Sequence, residues 1–187
     1  MKVYDCLVVG FGGVGSAALW QAAKRGWSVL GIDQFGPAHD RGSSHGHSRI
    51  IRRAYFEHPN YVPLLNRAYE MWDELTRRHR TSPEVKELLI RTGLLQVGAP
   101  ESAIIRGVES SAQQHGLKIE RFGPAEIVQR LPIFKIPGHH VGLFEPDAGV
   151  LKVELCVAAM IGQAIKLGAE TVSNTVVQSW AVRSVPP

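Results

Sequence analysis

Six residues near the start of the chain, Gly10-Phe11-Gly12-Gly13-Val14-Gly15, restrict the folds that this sequence can adopt. They follow residues 3–9, an almost continuous apolar run with β-branched side chains, which predicts a short buried strand. They precede residues 13–25, an alanine-rich segment that predicts a helix ended by Gly26. Residues 28–32 predict a second strand. This part of the chain is therefore expected to form a strand–helix–strand unit with parallel strands, typical of an α/β fold.

The glycines fit the pattern G-x-G-x-x-G, which occurs where a pyrophosphate binds at the start of a helix. Gly10 permits a sharp turn, Gly12 lets phosphate approach the backbone N–H groups, and Gly15 lets the helix pack closely on the strand. Asp33 lies 18 residues after Gly15, close to the interval of about 20 residues at which an acid binds ribose hydroxyls. This acid would repel a 2′-phosphate, so FAD or NAD is favoured over NADP. The alternative is a unit whose glycines serve packing alone.

The rest of the sequence predicts further elements, most of them inserted after the second strand. Residues 34–46 form a loop, and residues 61–79 predict a helix whose amphipathic face holds Leu64, Leu65, Ala68, Met71, Trp72 and Leu75. The other predictions are helices at 101–115, 124–130 and 152–167, strands at 118–121, 141–144 and 171–177, and a hairpin of 88–90 with 94–97. The chain therefore reads as one dinucleotide-binding domain over residues 1–187, with an inserted segment at about residues 40–150.

The composition is that of an ordinary globular protein, with 44% apolar and 20% charged residues among 187. Enough apolar side chain is present to exclude intrinsic disorder. The most apolar stretch, residues 6–20, is interrupted by glycines and is too short for a membrane span. Cys6 and Cys156 cannot form a disulfide framework, so a soluble protein in the reducing cytoplasm is expected.

The positive charge of the chain is concentrated in two places. The 21 Lys and Arg residues exceed the 17 Asp and Glu residues by four, and they cluster at residues 41–53 and 77–80. Neither cluster alternates with aromatic residues, so nucleic-acid binding is not expected. The histidines of His45-Gly46-His47 and His139-His140 lack the cysteine and carboxylate spacing of a zinc site, so no metal is expected.

The first basic cluster reads Arg41-Gly42-Ser43-Ser44-His45-Gly46-His47-Ser48-Arg49-Ile50-Ile51-Arg52. It places small hydroxyl side chains and cations a short distance along the chain from Asp33. Arg49 and Arg52 are three residues apart, which would put them on one face of a helix. Taken alone, such a segment is most simply a solvated basic loop.

Four segments together carry a more specific signal. These are GFGGVG with Asp33, RGSSHGHSRIIRRAY from Arg41, Tyr61-Val62-Pro63-Leu64, and LFEPDAGVL from Leu143. In this order and spacing they resemble the N-terminal half of the sarcosine oxidase and N-methyltryptophan oxidase family of FAD-dependent amine oxidases. The resemblance implies a Rossmann-like FAD-binding domain with inserted helices and a hairpin.

The resemblance also implies roles for individual residues. The residues that it assigns to FAD are Gly10, Gly12, Gly13, Gly15, Asp33, Gln34, Ser43, Ser44, His45, Arg49 and Ile50. It assigns catalytic roles to His45, Arg49 and Arg52, with Arg49 beside the isoalloxazine ring and Arg52 on the substrate carboxylate. A planar guanidinium suits that carboxylate because it can form two parallel hydrogen bonds.

The implied reaction is oxidation of a secondary amino acid such as sarcosine. A hydride passes from the carbon beside nitrogen to the flavin, the imine hydrolyses, and oxygen reoxidises the flavin to give hydrogen peroxide. The implied partners are a small amino-acid substrate and oxygen, and the oligomeric state stays open. Two alternatives are a noncatalytic dinucleotide-binding module and an NAD-linked dehydrogenase.

Members of this family continue well beyond residue 187, so the resemblance implies a truncated domain without the C-terminal half of the fold. That half carries most of the substrate-binding sheet, a lysine used in oxygen activation and a cysteine that tethers FAD. Neither Cys6 nor Cys156 matches this cysteine, so noncovalent FAD is expected. The chain alone is expected to be marginally stable and nearly inactive, and an assay of peroxide release with sarcosine would test this.

Overall fold

A computed structural model describes residues 2–79 and 87–182. Arg80, the last residue of the second basic cluster, lies outside the described residues. In chain order the elements are β1 (Cys6–Val9), α1 (Gly13–Lys24), β2 (Val29–Ile32), β3 (Arg49–Ile51), α2 (Tyr61–His79), β4 (Leu89–Ile90), β5 (Leu94–Gly98), α3 (Ala103–His115), β6 (Glu120–Phe122), α4 (Pro124–Arg130), β7 (Val141–Glu145), β8 (Gly149–Leu151), α5 (Val153–Lys166) and β9 (Glu170–Val172).

The chain divides into two compact units. The first unit takes the described residues of 1–48, 77–88 and 152–187, and the second takes residues 49–76 and 89–151. Among the described residues, no helix has the length and apolar character needed to cross a membrane.

The first unit is built on a parallel sheet with the strand order β1-β2-β9. This confirms the predicted strand–helix–strand unit and the α/β class. Both outer strands are shorter than predicted. Before β1, Asp5 accepts hydrogen bonds from the N–H and the hydroxyl of Ser28 at 2.8 and 2.7 Å, and its own N–H donates to the carbonyl of Ser28 at 3.0 Å. After β9, Asn174 adopts φ 54°, which turns the chain out of the extended conformation.

Helices α1 and α5 supply most of the core of the first unit. Leu19 and Trp20 of α1 are fully buried, and Phe11 packs against Val157 and Ile161 of α5. On β1 the burial alternates, since Val8 is buried whereas Leu7 and Val9 are 60% and 64% exposed. The alternation follows from the period of two along a strand, so the helices cover only one face of this strand among the described residues.

The second unit contains two antiparallel sheets, with strand orders β3-β8-β4 and β5-β7-β6. Ile105 and Val108 of α3 pack with Leu143 of β7 in one hydrophobic cluster. A second cluster joins Ile51 of β3 to Tyr69 of α2. The bounds of α2 and α4 agree with prediction, and Gly116 ends α3 in a left-handed conformation with φ 62°, as its sequence position indicated.

Two predictions about the second unit are wrong. The hairpin of residues 88–90 with 94–97 does not form, because β4 pairs with β8 and β5 pairs with β7. Between these strands Gly93, at φ 71°, donates its N–H to the carbonyl of Ala148 at 2.9 Å, and this contact directs the chain from one sheet to the other. A side chain at Gly93 would overlap the ring of Phe144.

The predicted helical face for Arg49 and Arg52 is also wrong. Residues 49–51 form strand β3, which pairs with β8 in the register Ile50 opposite Val150.

The predicted apolar face of α2 is largely confirmed. Five of its six residues are buried or half-buried, namely Leu65, Ala68, Met71, Trp72 and Leu75. Leu64 is exposed, and Tyr69, which was not predicted, is buried.

Candidate functional site

The glycine loop between β1 and α1 requires glycine at two positions. Gly10 has φ 81° and donates its N–H to the carbonyl of Ile32 at 2.7 Å. A Cβ at Gly15 would overlap the carbonyl oxygen of Gly10. Gly10 therefore makes the turn, and Gly15 lets the first turn of α1 approach the end of β1.

Helix α1 begins without a capping side chain of its own. Its N-cap residue is Gly12, and its first turn contains no acidic residue. Instead, the hydroxyl oxygen of Ser44 accepts the N–H of Gly13 at 3.0 Å. The positive end of the helix dipole is thus covered by a small polar group from a distant loop, an arrangement that also suits an anion.

Asp33 lies at the end of β2 and points toward the glycine loop. Asp33 is only 6% exposed, and its two carboxylate oxygens accept the N–H groups of Phe11 and Phe35, each at 2.8 Å. The Nε2 atom of His39 lies 3.5 Å from Oδ1 of Asp33. The acid is therefore held in one orientation by backbone donors beside the start of α1.

A cavity of about 950 Å³ lies in the first unit, and both the glycine loop and Asp33 line it. Of the residues predicted to hold a dinucleotide, those that line this cavity are Gly10, Gly12, Gly13, Gly15, Asp33, Gln34, Ser43 and Ser44. The cavity is also lined by Phe35, His39 and Arg41, which were not predicted from the sequence to hold a dinucleotide. Their position directly after Asp33 was a usable signal. Residues 175–177, which follow β9, also line the cavity. Nothing in their sequence indicated that they would.

His45 is half-buried and is not among the residues that line this cavity. The residues after it are held by Glu154, in the first turn of α5. Its Oε1 atom accepts the N–H of Gly46 at 2.7 Å and that of His47 at 3.4 Å. The hydrogen bond from Gly46 lowers the pKa of Glu154 below its ordinary value.

The predicted catalytic arginines belong to the second unit, as does Ile50. Arg49 and Ile50 are exposed on β3. The guanidinium of Arg52 lies 4.2 Å from the ring centre of Tyr55, and its Nη2 is 3.5 Å from a carboxylate oxygen of Glu57. Its Nε is buried and has no hydrogen-bond partner among the described residues.

Glu145 holds the backbone immediately after Arg52, a contact that the sequence analysis missed. It is only 3% exposed, and its oxygens accept the N–H groups of Arg53 at 2.7 Å and Ala54 at 3.0 Å. Burial and the negative charge of Glu145 raise the pKa of Tyr69 well above its ordinary value. A carboxylate at the end of an apolar strand was the available signal.

The part of the chain that the structure describes contains no group of three or more His, Cys, Asp or Glu side chains placed to hold a metal ion. Cys6 and Cys156 are both free thiols. Burial raises the pKa of Cys156 to about 12, so this thiol stays protonated at neutral pH.

Comparison with known sequences gives a match over nearly the whole chain. Residues 5–185 match the family described as FAD dependent oxidoreductase. The chain is 45% identical to monomeric sarcosine oxidase of Streptomyces avermitilis over 167 residues, which is 89% of this chain and 42% of that protein. It is 38% identical to N-methyl-L-tryptophan oxidase of Escherichia coli over 171 residues, or 91% of this chain and 45% of that protein. The chain thus spans under half the length of these relatives.

Solved structures give the same fold. NikD, described as an unusual amino acid oxidase essential for nikkomycin biosynthesis, superposes with a TM-score of 0.79 at 25% identity, covering 93% of this chain and 44% of NikD. Glycine oxidase of Bacillus cereus superposes with a TM-score of 0.77 at 17% identity, covering 97% of this chain and 49% of that protein. At this identity the second comparison supports the fold alone.

Proposed function

The chain belongs to the family of FAD-dependent oxidoreductases, and we propose that its first unit binds FAD in the cavity described above. One observation carries the proposal: the start of α1 and the carboxylate of Asp33 line the same cavity. A dinucleotide needs an anion site and a ribose site on one surface, and these two features supply both.

The residues of this cavity suit FAD in their chemistry. The N-cap Gly12 has no side chain to obstruct a phosphate, and the first turn of α1 has no acid to repel one. We assign the pyrophosphate to Gly10, Gly12, Gly13 and Gly15, with help from the hydroxyls of Ser43 and Ser44. We assign the adenosine ribose to Asp33, with Gln34 beside it.

For the reaction we propose oxidation of an N-methyl amino acid to an imine, with release of hydrogen peroxide. Two relatives, a monomeric sarcosine oxidase and an N-methyl-L-tryptophan oxidase, support this substrate class. FAD, when bound, would supply the hydride acceptor. The protein then has to bind the substrate and orient its reacting carbon.

Arg52 is the residue that we propose for the substrate carboxylate. Its side chain is 17% exposed, and its guanidinium lies over the ring of Tyr55 at 4.2 Å from the ring centre. Its Nε–H is buried without an acceptor among the described residues. An incoming carboxylate would satisfy this donor, and a neighbouring Nη–H would complete a two-point hydrogen bond. The roles of His45, Arg49 and Ile50 beside the flavin stay predictions from the resemblance.

A titration of the purified chain with FAD, NAD and NADP, followed by isothermal titration calorimetry, tests the cofactor. We expect FAD to bind and Asp33→Asn to weaken it at least about tenfold, because a charged acceptor of ribose hydroxyls is lost. Asp40→Asn is the matched control, since Asp40 is exposed and forms an ion pair with neighbouring Arg41 at 3.2 Å. Binding of NAD instead would favour the dehydrogenase, and binding of no dinucleotide would overturn the proposal.

Adding sarcosine anaerobically to the FAD-loaded chain tests the substrate class. We expect a concentration-dependent change in the visible flavin band, and at least about a tenfold loss of affinity in Arg52→Lys. Arg67→Lys is the control, because Arg67 forms an exposed ion pair with Glu70. If sarcosine leaves the flavin spectrum unchanged at every concentration, Arg52 does not hold its carboxylate in this chain, and the cofactor proposal stands.

A further inference from the structure

His39 is a polar side chain of the FAD cavity to which neither the motifs nor the family resemblance assigned a role. It lines the cavity, and its side chain is 19% exposed. Its ring packs edge-on against Phe35, with 5.0 Å between the ring centres. The ring is therefore held in place beside Asp33, and one edge of it is accessible from the cavity.

The backbone fixes which ring nitrogen of neutral His39 carries the proton. Nδ1 accepts the N–H of Arg41 at 3.0 Å, so it must be the unprotonated nitrogen. The proton is then on Nε2, which faces Oδ1 of Asp33 at 3.5 Å. This distance is long for a hydrogen bond, so the Nε2–H remains available to a better acceptor that lies within reach of both side chains.

Asp33 and His39 thus present opposite hydrogen-bonding capacities at one place. The carboxylate of Asp33 only accepts, and after its bonds to Phe11 and Phe35 each oxygen still has a lone pair. The Nε2–H of His39 only donates. A ribose hydroxyl does both, so one hydroxyl can donate to Asp33 while it accepts from His39.

We propose that His39 is a second ribose-binding residue, whose Nε2–H donates to a hydroxyl of the adenosine ribose held by Asp33. The inference rests on the proposed function, since it concerns the same FAD site. It makes recognition of the ribose depend on a donor and an acceptor together, where the sequence motif provides only the acceptor.

Two substitutions distinguish the acceptor role of Nδ1 in His39 from the donor role of its Nε2. His39→Asn keeps an acceptor near the position of Nδ1 for the N–H of Arg41 and loses the donor. His39→Gln places an amide N–H near the position of Nε2 and loses the local acceptor. FAD affinity is measured by fluorescence, and ADP, 2′-deoxy-ADP and 3′-deoxy-ADP are measured by displacement of FAD.

We expect His39→Asn to weaken FAD and ADP about three- to tenfold, the size of one hydrogen bond, and His39→Gln to retain most of the affinity. In the wild-type chain, removal of one ribose hydroxyl should lower the affinity for ADP. In His39→Asn the same removal should lower the affinity by a smaller factor, because the Nε2–H that donates to this hydroxyl is already absent.

The inference is overturned if His39→Asn binds FAD as tightly as the wild type, or if it weakens ADP and the deoxy analogues equally. It is also overturned if His39→Gln binds more weakly than His39→Asn, since His39 then acts through Arg41 and the loop. If the wild-type chain binds neither FAD nor ADP, the proposed function itself fails, which is a different result.

Discussion

The Oε1 atom of Glu154 accepts the backbone N–H of Gly46 at 2.7 Å, across 108 positions of sequence. This bond joins the first turn of α5 to the loop that carries Ser44. Ser44 in turn accepts the N–H of Gly13 at the start of α1. One carboxylate therefore helps to hold the small polar group that covers the proposed phosphate site.

The contact of Glu154 predicts a specific dependence of stability on pH. The N–H of Gly46 lowers the pKa of Glu154 in the folded state below its ordinary value of 4.5. The carboxylate thus stabilises the fold fully above that ordinary value, and its contribution is lost as the pH falls through the lowered pKa. We expect Glu154→Gln to lower the melting temperature at pH 7. Below about pH 5 the melting temperature of this variant should fall less steeply with decreasing pH than that of the wild type.

Glu101→Gln is the control for this measurement, because Glu101 is exposed. This substitution should leave the dependence of the melting temperature on pH unchanged. Amide hydrogen exchange adds a local readout, in which the N–H of Gly46 should lose protection in Glu154→Ala. Unchanged protection of that amide would contradict the assigned contact.

Two glycine-to-alanine substitutions should act in opposite directions. A Cβ at Gly15 would overlap the carbonyl oxygen of Gly10, so Gly15→Ala should lower the free energy of unfolding by about 1–3 kcal/mol and abolish tight FAD binding. Gly162 lies within α5, and a Cβ there meets no atom within 4 Å. Gly162→Ala should raise the free energy of unfolding by about 0.5–1 kcal/mol. Urea denaturation checks both, and equal effects of the two would refute the close approach at Gly15.

Local patterns in the sequence predicted the helices and the first strands well. The bounds of α2 and α4 were predicted at Tyr61–His79 and Pro124–Arg130 and are confirmed, because caps and apolar spacing are local features. The family resemblance is also confirmed. Strand partners were not predictable, since the pairing of β4 with β8 depends on a contact between Gly93 and Ala148 that no local pattern encodes.

In the candidate site too, residues with a local sequence pattern could be predicted, and residues that act through long-range contacts could not. The glycines and Asp33 were found because their spacing follows from the length of a strand–helix–strand unit. Glu154 and Glu145 were missed as contributors because each binds backbone N–H groups roughly 90 to 110 positions away. A backbone donor has no side-chain signature, so these contacts appear only in the folded chain.

Ser44 should have two separable effects that one substitution reveals. It accepts the N–H of Gly13 in place of a capping side chain, so Ser44→Ala should cost about 1 kcal/mol of unfolding free energy and also weaken FAD. Ser102, the N-cap of α3, accepts the N–H of Ile105 and provides the matched control. Ser102→Ala should cost a similar amount in urea denaturation while leaving FAD affinity unchanged. FAD affinity that falls equally in both variants would show that Ser44 acts on stability alone.

The last prediction concerns the buried carboxylate of Glu145. Both of its oxygens accept backbone N–H groups, those of Arg53 and Ala54. In Glu145→Gln one oxygen becomes an NH₂ group, which faces a backbone donor and leaves it unsatisfied. The free energy of unfolding should fall by about 1–3 kcal/mol, measured by urea denaturation.

Asp147→Asn is the control for Glu145→Gln. The exposed carboxylate of Asp147 forms an ion pair with the half-buried Arg53 at 3.0 Å, and its loss should cost no more than about 1 kcal/mol. Since Glu145 holds the residue next to Arg52, Glu145→Gln should also weaken sarcosine binding while leaving FAD binding intact. A variant as stable as the wild type would show that the two N–H groups find other acceptors. A loss of FAD together with sarcosine would mean that Glu145 maintains the fold rather than the position of Arg52.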